Sequence, residues 1–197
     1  MKCVLGIDPG TTETAYCLCT VDDKQSSTSL KVQQFAKIEN EDMAEVLENL
    51  IVNSMVDKSI PPMSVAIEHL ESYGMAVGKT TFETAYFIGR LTEICNRYEQ
   101  AVSRVYRHEE KNLICHSVKA NDATIKQALV DLFAEHPEIN HGKGSKAKQD
   151  YFYGFKADCW SAFAICYTYC KRLEEILLKD VDSAEHIKTV NLDDLPF

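Results

Sequence analysis

Three acidic side chains stand where predicted strands end or a predicted helix begins. Asp8 ends an apolar run that predicts a buried strand, Glu68 ends a second such run, and Asp158 begins the last predicted helix. Strand ends and helix N-termini converge at one edge of an α/β sheet, so we expect these carboxylates to meet. Three carboxylates repel one another unless a cation neutralises them, which predicts a metal site.

The donor type of this set favours Mg²⁺ or Mn²⁺, because carboxylate oxygens are hard ligands and no histidine or cysteine cluster accompanies them. Two such ions about 3.5–4 Å apart activate a water and stabilise the leaving oxygen in phosphodiester cleavage. Each acid also has an ordinary explanation. Asp8 precedes Pro-Gly and suits a turn, Glu68 suits a strand edge, and Asp158 suits a helix N-terminus. Their joint placement makes a shared site the better interpretation.

The composition is that of a globular protein. Of 197 residues, 45% are hydrophobic and 26% are charged, which suits one α/β domain. No apolar run reaches the roughly 18 residues of a membrane span, and the N-terminus does not resemble a signal peptide, so we expect a cytoplasmic protein. The eight cysteines form no CxxC pair, and we interpret them as reduced, buried thiols rather than zinc ligands.

The net charge of −9 is only a mild argument against nucleic-acid binding, because binding responds to the charge of the contact face. Acidic residues concentrate in 39–57 and after 173, whereas basic residues gather in the later middle of the chain. A basic, glycine-containing loop at 137–151 is suited to phosphate contact. The lysines predicted to contact nucleic acid are Lys79, Lys119, Lys126, Lys143, Lys146, Lys148 and Lys156.

The elements that position the acids form a mixed α/β pattern. Three short runs joined by turns predict an antiparallel meander, and helices then alternate with two further strands. The predicted strands cover 2–7, 14–21, 30–38, 64–68 and 102–106, and the predicted helices cover 42–56, 80–98, 121–132 and 157–178. We expect three antiparallel strands followed by parallel strands, with helices on both faces, over residues 1–180. Residues 181–197 are predicted to form a flexible acidic tail.

These residues resemble the RuvC family of Holliday-junction resolvases, which belongs to the RNase H-like superfamily. Gly6-Ile-Asp-Pro-Gly10 is similar to the family's opening, Ala66-Ile-Glu68 to its second acidic strand, and Lys156 to Ala164 to its acidic, alanine-rich last helix. The likeness extends in order over residues 3–170. The run 73–79 and the Lys-Ala-Asp-Cys-Trp segment also resemble a phage-encoded branch of RuvC-like proteins.

The resemblance implies an RNase H-like fold and a magnesium-dependent endonuclease that cuts branched DNA, a Holliday junction or a fork, as a homodimer. It implies that Asp8, Glu68 and Asp158 bind the metal ions. It also implies that Lys111 contacts or neutralises the scissile region, a role suited to a point charge on a flexible stem.

Two positions depart from the family pattern. The family has a second acid one turn before the acid of the last helix, and that position falls at about Phe155. The basic residue expected near the start of the 121–132 helix falls at about Ala123. The missing acid would be the fourth of the site. Without it the second metal site is incomplete, and the cleavage rate depends on that site. The candidate replacements are Asp122 and Glu71 for the acid, and Lys119 and Lys126 for the base.

Other functions fit parts of the chain. Gly-Ile-Asp-Pro-Gly-Thr-Thr also resembles the phosphate loop of sugar kinases and heat-shock ATPases, but those proteins enclose the nucleotide between two such domains and are much longer. A ribosomal-RNA-processing nuclease of the same superfamily is typically shorter. A catalytically weak or inactive RuvC-like module would bind structured nucleic acid without cutting it.

The C-terminal run Val190-Asn-Leu-Asp-Asp-Leu-Pro-Phe197 resembles the acidic tip of bacterial single-stranded-DNA-binding proteins. The resemblance implies that a replication or repair protein binds the terminal aromatic in a basic-rimmed apolar pocket, at little ordering cost. The residues concerned are Asp193, Asp194, Leu195, Pro196 and Phe197. A solvated acidic tail without a partner explains the same residues, and we prefer that interpretation.

Overall fold

The computed structural model describes residues 1–22, 26–71, 74 and 76–189, the last ten as backbone only. The strands β1 to β5 form one sheet in the order β3-β2-β1-β4-β5. They cover, in chain order, Lys2–Pro9, Glu13–Val21, Lys31–Glu39, Met63–His69 and Val102–Tyr106. β1, β2 and β3 are antiparallel neighbours, whereas β4 runs parallel to β1, and β5 parallel to β4. The predicted mixed sheet is confirmed.

Helices cover both faces of the sheet. α1 (Asn40–Val56) and α2 (Lys79–Arg97) lie on one face, and α3 (Arg107–Cys115), α4 (Asp122–Phe133) and α5 (Cys159–Thr189) lie on the other. The sequence pattern did not predict α3, because its buried face consists of Glu110 and Ile114 rather than an apolar stripe. Within the described residues, no helix is both long enough and apolar enough to cross a membrane.

The alternation of side chains along β1 and β4 decides which face carries the acids. Ile7 and Ile67 pack in the core beneath α1 and α2. Because successive side chains point to opposite faces, Asp8 and Glu68 point to the face covered by α3 and α5. Ile7 also pairs with Ile67 in the parallel ladder. Asp8 and Glu68 therefore come side by side, one residue beyond that pair.

Gly6 allows α5 to lie directly on the centre of β1. A Cβ at this position would stand 2.2 Å from the carbonyl oxygen of Ala162 and 2.7 Å from Cys166 Sγ. We expect Gly6→Ala to lower the free energy of unfolding by about 3 kcal/mol, because the backbone of α5 has to move away from the sheet. Chemical denaturation measures the loss. Gly89→Ala, whose Cβ would have open space around it, is the control, and equal midpoints for the two variants would contradict this prediction.

Three cysteines lie together in the core between the sheet and α5. The Sγ atoms of Cys17, Cys19 and Cys166 all lie within 4.8 Å of one another, and the three residues are buried. Burial raises the pKa of each thiol well above its usual value. Cys166 Sγ also donates to the carbonyl oxygen of Cys17 at 3.3 Å. At neutral pH these groups therefore pack as protonated thiols.

Candidate active site

Asp8 and Glu68 form a carboxyl pair at the carboxyl ends of β1 and β4. Their side chains are half-buried and hydrogen-bonded to each other. Burial, the hydrogen bond and the negative charge of Glu68 raise the pKa of Asp8 to about 8. Burial also raises the pKa of Glu68. The pair therefore shares a proton at neutral pH until a cation replaces it.

Asp158 immediately precedes α5 and lies at the same end of the sheet. Its charge contributes to the raised pKa of Asp8. Its Oδ2 lies 3.0 Å from the Nζ of Lys37 on β3, which also contacts Glu13 at 3.1 Å. The ligand oxygens of Asp8, Glu68 and Asp158 are not all within 4.8 Å of one another. Because Mg²⁺ ligands stand only about 2.1 Å from the ion, these side chains have to come closer together before one ion contacts all three acids.

Sequence reasoning missed two residues of this site, Arg107 and Glu110 on α3. Arg107 forms ion pairs with Glu110 and Asp122. Glu110 is fully buried, and burial raises its pKa to about 7 although the adjacent guanidinium lowers it. The usable signal was that Glu110 stands four residues before the buried Ile114 and so shares its helix face.

The two candidates for the missing acid both lie beside Glu68. Asp122 begins α4 and is exposed, and its charge raises the pKa of Glu68. Glu71 shares a cleft of about 250 Å³ with Glu68, and its Oε1 lies 2.6 Å from His108 Nδ1. Asn121 caps α4, since its Oδ1 accepts a hydrogen bond from the backbone N–H of Thr124 at 2.9 Å.

Basic residues form one wall of the site. Lys126 and Lys143 line a cleft of about 380 Å³ that also contains Asp158 and Trp160. Lys126 Nζ lies 4.8 Å from the ring centroid of Trp160, within cation–π range. Burial lowers the pKa of Lys143, and the positive charges of Lys126 and Lys156 lower it further. The positive charges of Lys126 and Lys156 therefore both act on Lys143 beside Asp158, an arrangement that favours an anion near Lys143.

The other predicted basic residues are divided between the site and the surface. Lys111 lines the cleft that contains Glu68 and Arg107. Lys79 is exposed on α2, where its Nζ lies 3.3 Å from Glu83. Lys119, Lys146 and Lys148 are exposed on loops. The structure thus brings Lys111, Lys126 and Lys143 to the clefts beside the acids. Lys156 is exposed two residues before Asp158, and the remaining four predicted lysines lie on the outer surface.

Comparison with known proteins gives a match in structure alone. No family model and no curated protein sequence matches the chain. The structure is similar to Thermus thermophilus RuvC in complex with a Holliday junction substrate, with 12% identity and a TM-score of 0.62 over 89% of this chain and 96% of that one. A second structure of that RuvC has 14% identity and a TM-score of 0.60 over 88% and 96%. The yeast mitochondrial Holliday junction resolvase Ydc2 has 12% identity and a TM-score of 0.51 over 85% and 77%.

This chain has a RuvC-like fold. Within it, Phe155 is buried, and its ring centroid lies 4.4 Å from that of Phe35 and 5.3 Å from that of Trp160. Phe155, which stands where the RuvC family has its second acid of the last helix, is therefore part of the aromatic core. The additional carboxylates of the site come from Glu110 on α3 and Asp122 at the start of α4.

The donor set of this site fits a divalent cation. Its ligands are carboxylate oxygens, and burial raises the pKa of both Asp8 and Glu68. Neighbouring negative charges raise these pKa values further, from Glu68 and Asp158 on Asp8 and from Glu110 and Asp122 on Glu68. A hard cation relieves both effects by supplying opposite charge at a distance that water cannot match. The residues present are therefore suited to hold Mg²⁺ or Mn²⁺.

Proposed function

We propose that this protein is a divalent-metal-dependent endonuclease that hydrolyses phosphodiester bonds in branched DNA, a Holliday junction or a fork, during recombination, replication or phage DNA processing. The observation that carries this proposal is the placement of Asp8, Glu68 and Asp158 at one edge of the sheet, beside clefts lined by lysines. The RuvC-like fold supports it, because the similar T. thermophilus RuvC is described in complex with a Holliday junction substrate.

Asp8, Glu68 and Asp158 are the residues that would hold Mg²⁺ or Mn²⁺. When bound, these ions supply charge neutralisation at the phosphate and an activated water. The chain itself has to release the proton shared by Asp8 and Glu68 and bring these two acids and Asp158, which lies beside Lys37, closer together. Lys111, in the cleft with Glu68, is placed to bind a phosphate oxygen of the strand that is cut.

Cleavage of a labelled four-way junction in Mg²⁺ or Mn²⁺, compared with a linear duplex and with EDTA, tests this function. We expect nicks near the branch point that require the metal and are absent from the duplex. Junction binding without cleavage in any divalent metal would instead indicate a RuvC-like module that binds structured nucleic acid.

Lys143 is proposed to contact a DNA phosphate, since it lines the cleft beside Asp158 among other lysines. We expect Lys143→Gln to weaken junction binding about 3- to 10-fold whatever the sequence, and to reduce the slope of log affinity against log salt by about 1. Fluorescence anisotropy over about 50–200 mM salt measures both quantities. Lys31→Gln, at the far end of β3, is the matched control. An unchanged slope for Lys143→Gln would exclude the contact.

Several finer properties belong to the same proposal. A homodimer suits a branched substrate with two strands to cut. We propose a cytoplasmic location, where the reducing environment would keep the eight cysteines as free thiols. The run 73–79 and the Lys-Ala-Asp-Cys-Trp segment resemble the phage-encoded branch of RuvC-like proteins, which supports a phage origin. Tyr73, at the start of that run, lies outside the described residues. Residues 193–197, proposed to bind a replication or repair protein, also lie outside the described residues. The binding of that partner and the division of the chain at residue 180 therefore stay predictions.

A further inference from the structure

Arg107 places a guanidinium at the centre of the acidic site. Its side chain is 22% exposed and lines both clefts, the one that contains Lys126 and Lys143 and the one that contains Lys111. Its positive charge lowers the pKa of both Asp8 and Glu68 against the effect of burial. A strand that passed from one cleft to the other would therefore cross this group.

Two carboxylates hold Arg107 in different ways. Nη1 donates to Oε2 of Glu110, whose side chain is fully buried, and Nη2 donates to Oδ1 of Asp122, whose side chain is 87% exposed. Burial confines Glu110, so this contact determines where the guanidinium lies. Asp122 stands at the first position of α4 with solvent around it, so its carboxylate can turn outward at little cost, as exposed ion pairs contribute little.

The contact with Asp122 has the chemistry of a contact with DNA. A guanidinium binds carboxylate and phosphate oxygens through the same N–H donors, and with similar geometry. An exposed carboxylate on Nη2 therefore occupies the position that a phosphate oxygen would take. Glu110 cannot be exchanged in this way, because its departure would leave a buried guanidinium and an unpaired buried carboxylate.

We propose that Arg107 binds a phosphate of the DNA beside the scissile bond, that Glu110 positions its guanidinium, and that Asp122 occupies the phosphate position until DNA displaces it. This inference rests on the proposed function, since it assigns the clefts to DNA. It makes Arg107 a substrate-binding residue of the site, Glu110 a positioning residue, and Asp122 an internal competitor of the DNA backbone.

A double-mutant cycle in EDTA tests the exchange. Junction affinity is measured by fluorescence anisotropy for the parent protein, Arg107→Gln, Asp122→Asn and the double variant. We expect Arg107→Gln to weaken binding about 10-fold and Asp122→Asn to tighten it about 5-fold. In the Arg107→Gln background, Asp122→Asn should have no further effect, because the two residues act through one contact. Equal tightening in both backgrounds would show that Asp122 only repels DNA and would overturn the proposal.

Further variants separate binding from folding. Arg104→Gln, an exposed arginine on β5, is the control for loss of one positive charge and should weaken binding less than 3-fold. Arg107→Lys keeps the charge beside Glu110 but loses the forked donor, so we expect it to unfold at nearly the parent temperature and to bind about 3- to 5-fold more weakly. Parent-like binding by Arg107→Lys together with parent-like binding by Arg107→Gln would remove Arg107 from the DNA contact.

Glu110 is tested by repeating the cycle in the Glu110→Gln background. A positioning role predicts that the coupling between Arg107 and Asp122 changes, because the amide of this variant keeps a neutral acceptor but leaves Asp122 as the only ion-pair partner of the guanidinium among these two residues. A purely structural role would lower the unfolding temperature and leave the coupling unchanged. None of these measurements needs cleavage. A parent protein that does not cut DNA but shows the coupling would refute the nuclease function and retain the Arg107 contact. A parent protein that cuts DNA but shows no coupling would retain the nuclease function and refute the Arg107 contact.

Discussion

Asp8→Asn is expected to reduce metal-dependent cleavage of a four-way junction by about 1,000-fold or more. Asp8 lies at the centre of the acidic set, hydrogen-bonded to Glu68 and within the field of Asp158. Removing its charge withdraws one ligand and weakens the neutralisation of the phosphate, and the loss of several kcal/mol of transition-state stabilisation corresponds to a factor of this size. Single-turnover cleavage in Mg²⁺ and in Mn²⁺ measures the effect.

The same variant separates chemistry from DNA binding. Asp8→Asn should bind the junction in EDTA at least as tightly as the parent protein, because a negative charge near the DNA backbone has been removed. Titration of the DNA-free protein with Mn²⁺ by calorimetry should show weaker binding than in the parent. Asp131→Asn, which removes an exposed carboxylate that accepts a hydrogen bond from Gln127 on α4, is the matched control. Cleavage by Asp8→Asn within 10-fold of that control would exclude Asp8 from the proposed reaction.

The metal-free protein is expected to lose stability as the pH rises from about 4 to about 8. Burial raises the pKa of Asp8 to about 8 and that of Glu110 to about 7. In the unfolded chain both groups ionise near pH 4, so in this window the folded state binds more protons than the unfolded state. Stability is therefore fully present below about pH 4 and falls until the pH exceeds the folded pKa values. Because each unit of pKa difference corresponds to about 1.4 kcal/mol, we expect the two groups together to cost several kcal/mol of stability across this pH range.

Thermal and chemical unfolding in EDTA across this pH range measure the loss. Adding Mg²⁺ should restore more stability at pH 8 than at pH 5, because the ion binds the ionised carboxylates of the folded state. Asp8→Asn should flatten the pH dependence, and Asp131→Asn should leave it unchanged. Stability that is constant or rises between pH 4 and pH 8 in EDTA would contradict the raised pKa values.

Local sequence signals predicted the sheet and the position of each acid well. Strand alternation and turn residues depend on neighbours in the chain, so the run ending at Asp8 and the run ending at Glu68 were predicted close to the bounds of β1 and β4. The cap at Asn121 is a signal of the same local kind, because a cap satisfies backbone groups only three residues away. Exposed lysines were harder to assign, since a positive charge on a loop does not reveal which cleft it faces.

The amino-acid sequence by itself determined the α/β class, the mixed sheet and the three acids at the ends of elements, because these follow from periodicity and turn chemistry. Only the tertiary structure decided that Arg107 and Glu110 belong to the site and that Lys37 holds Asp158. Burial of a charged group depends on which helices cover it. That depends on contacts between residues far apart in the chain, and these contacts leave no periodic signal in the sequence.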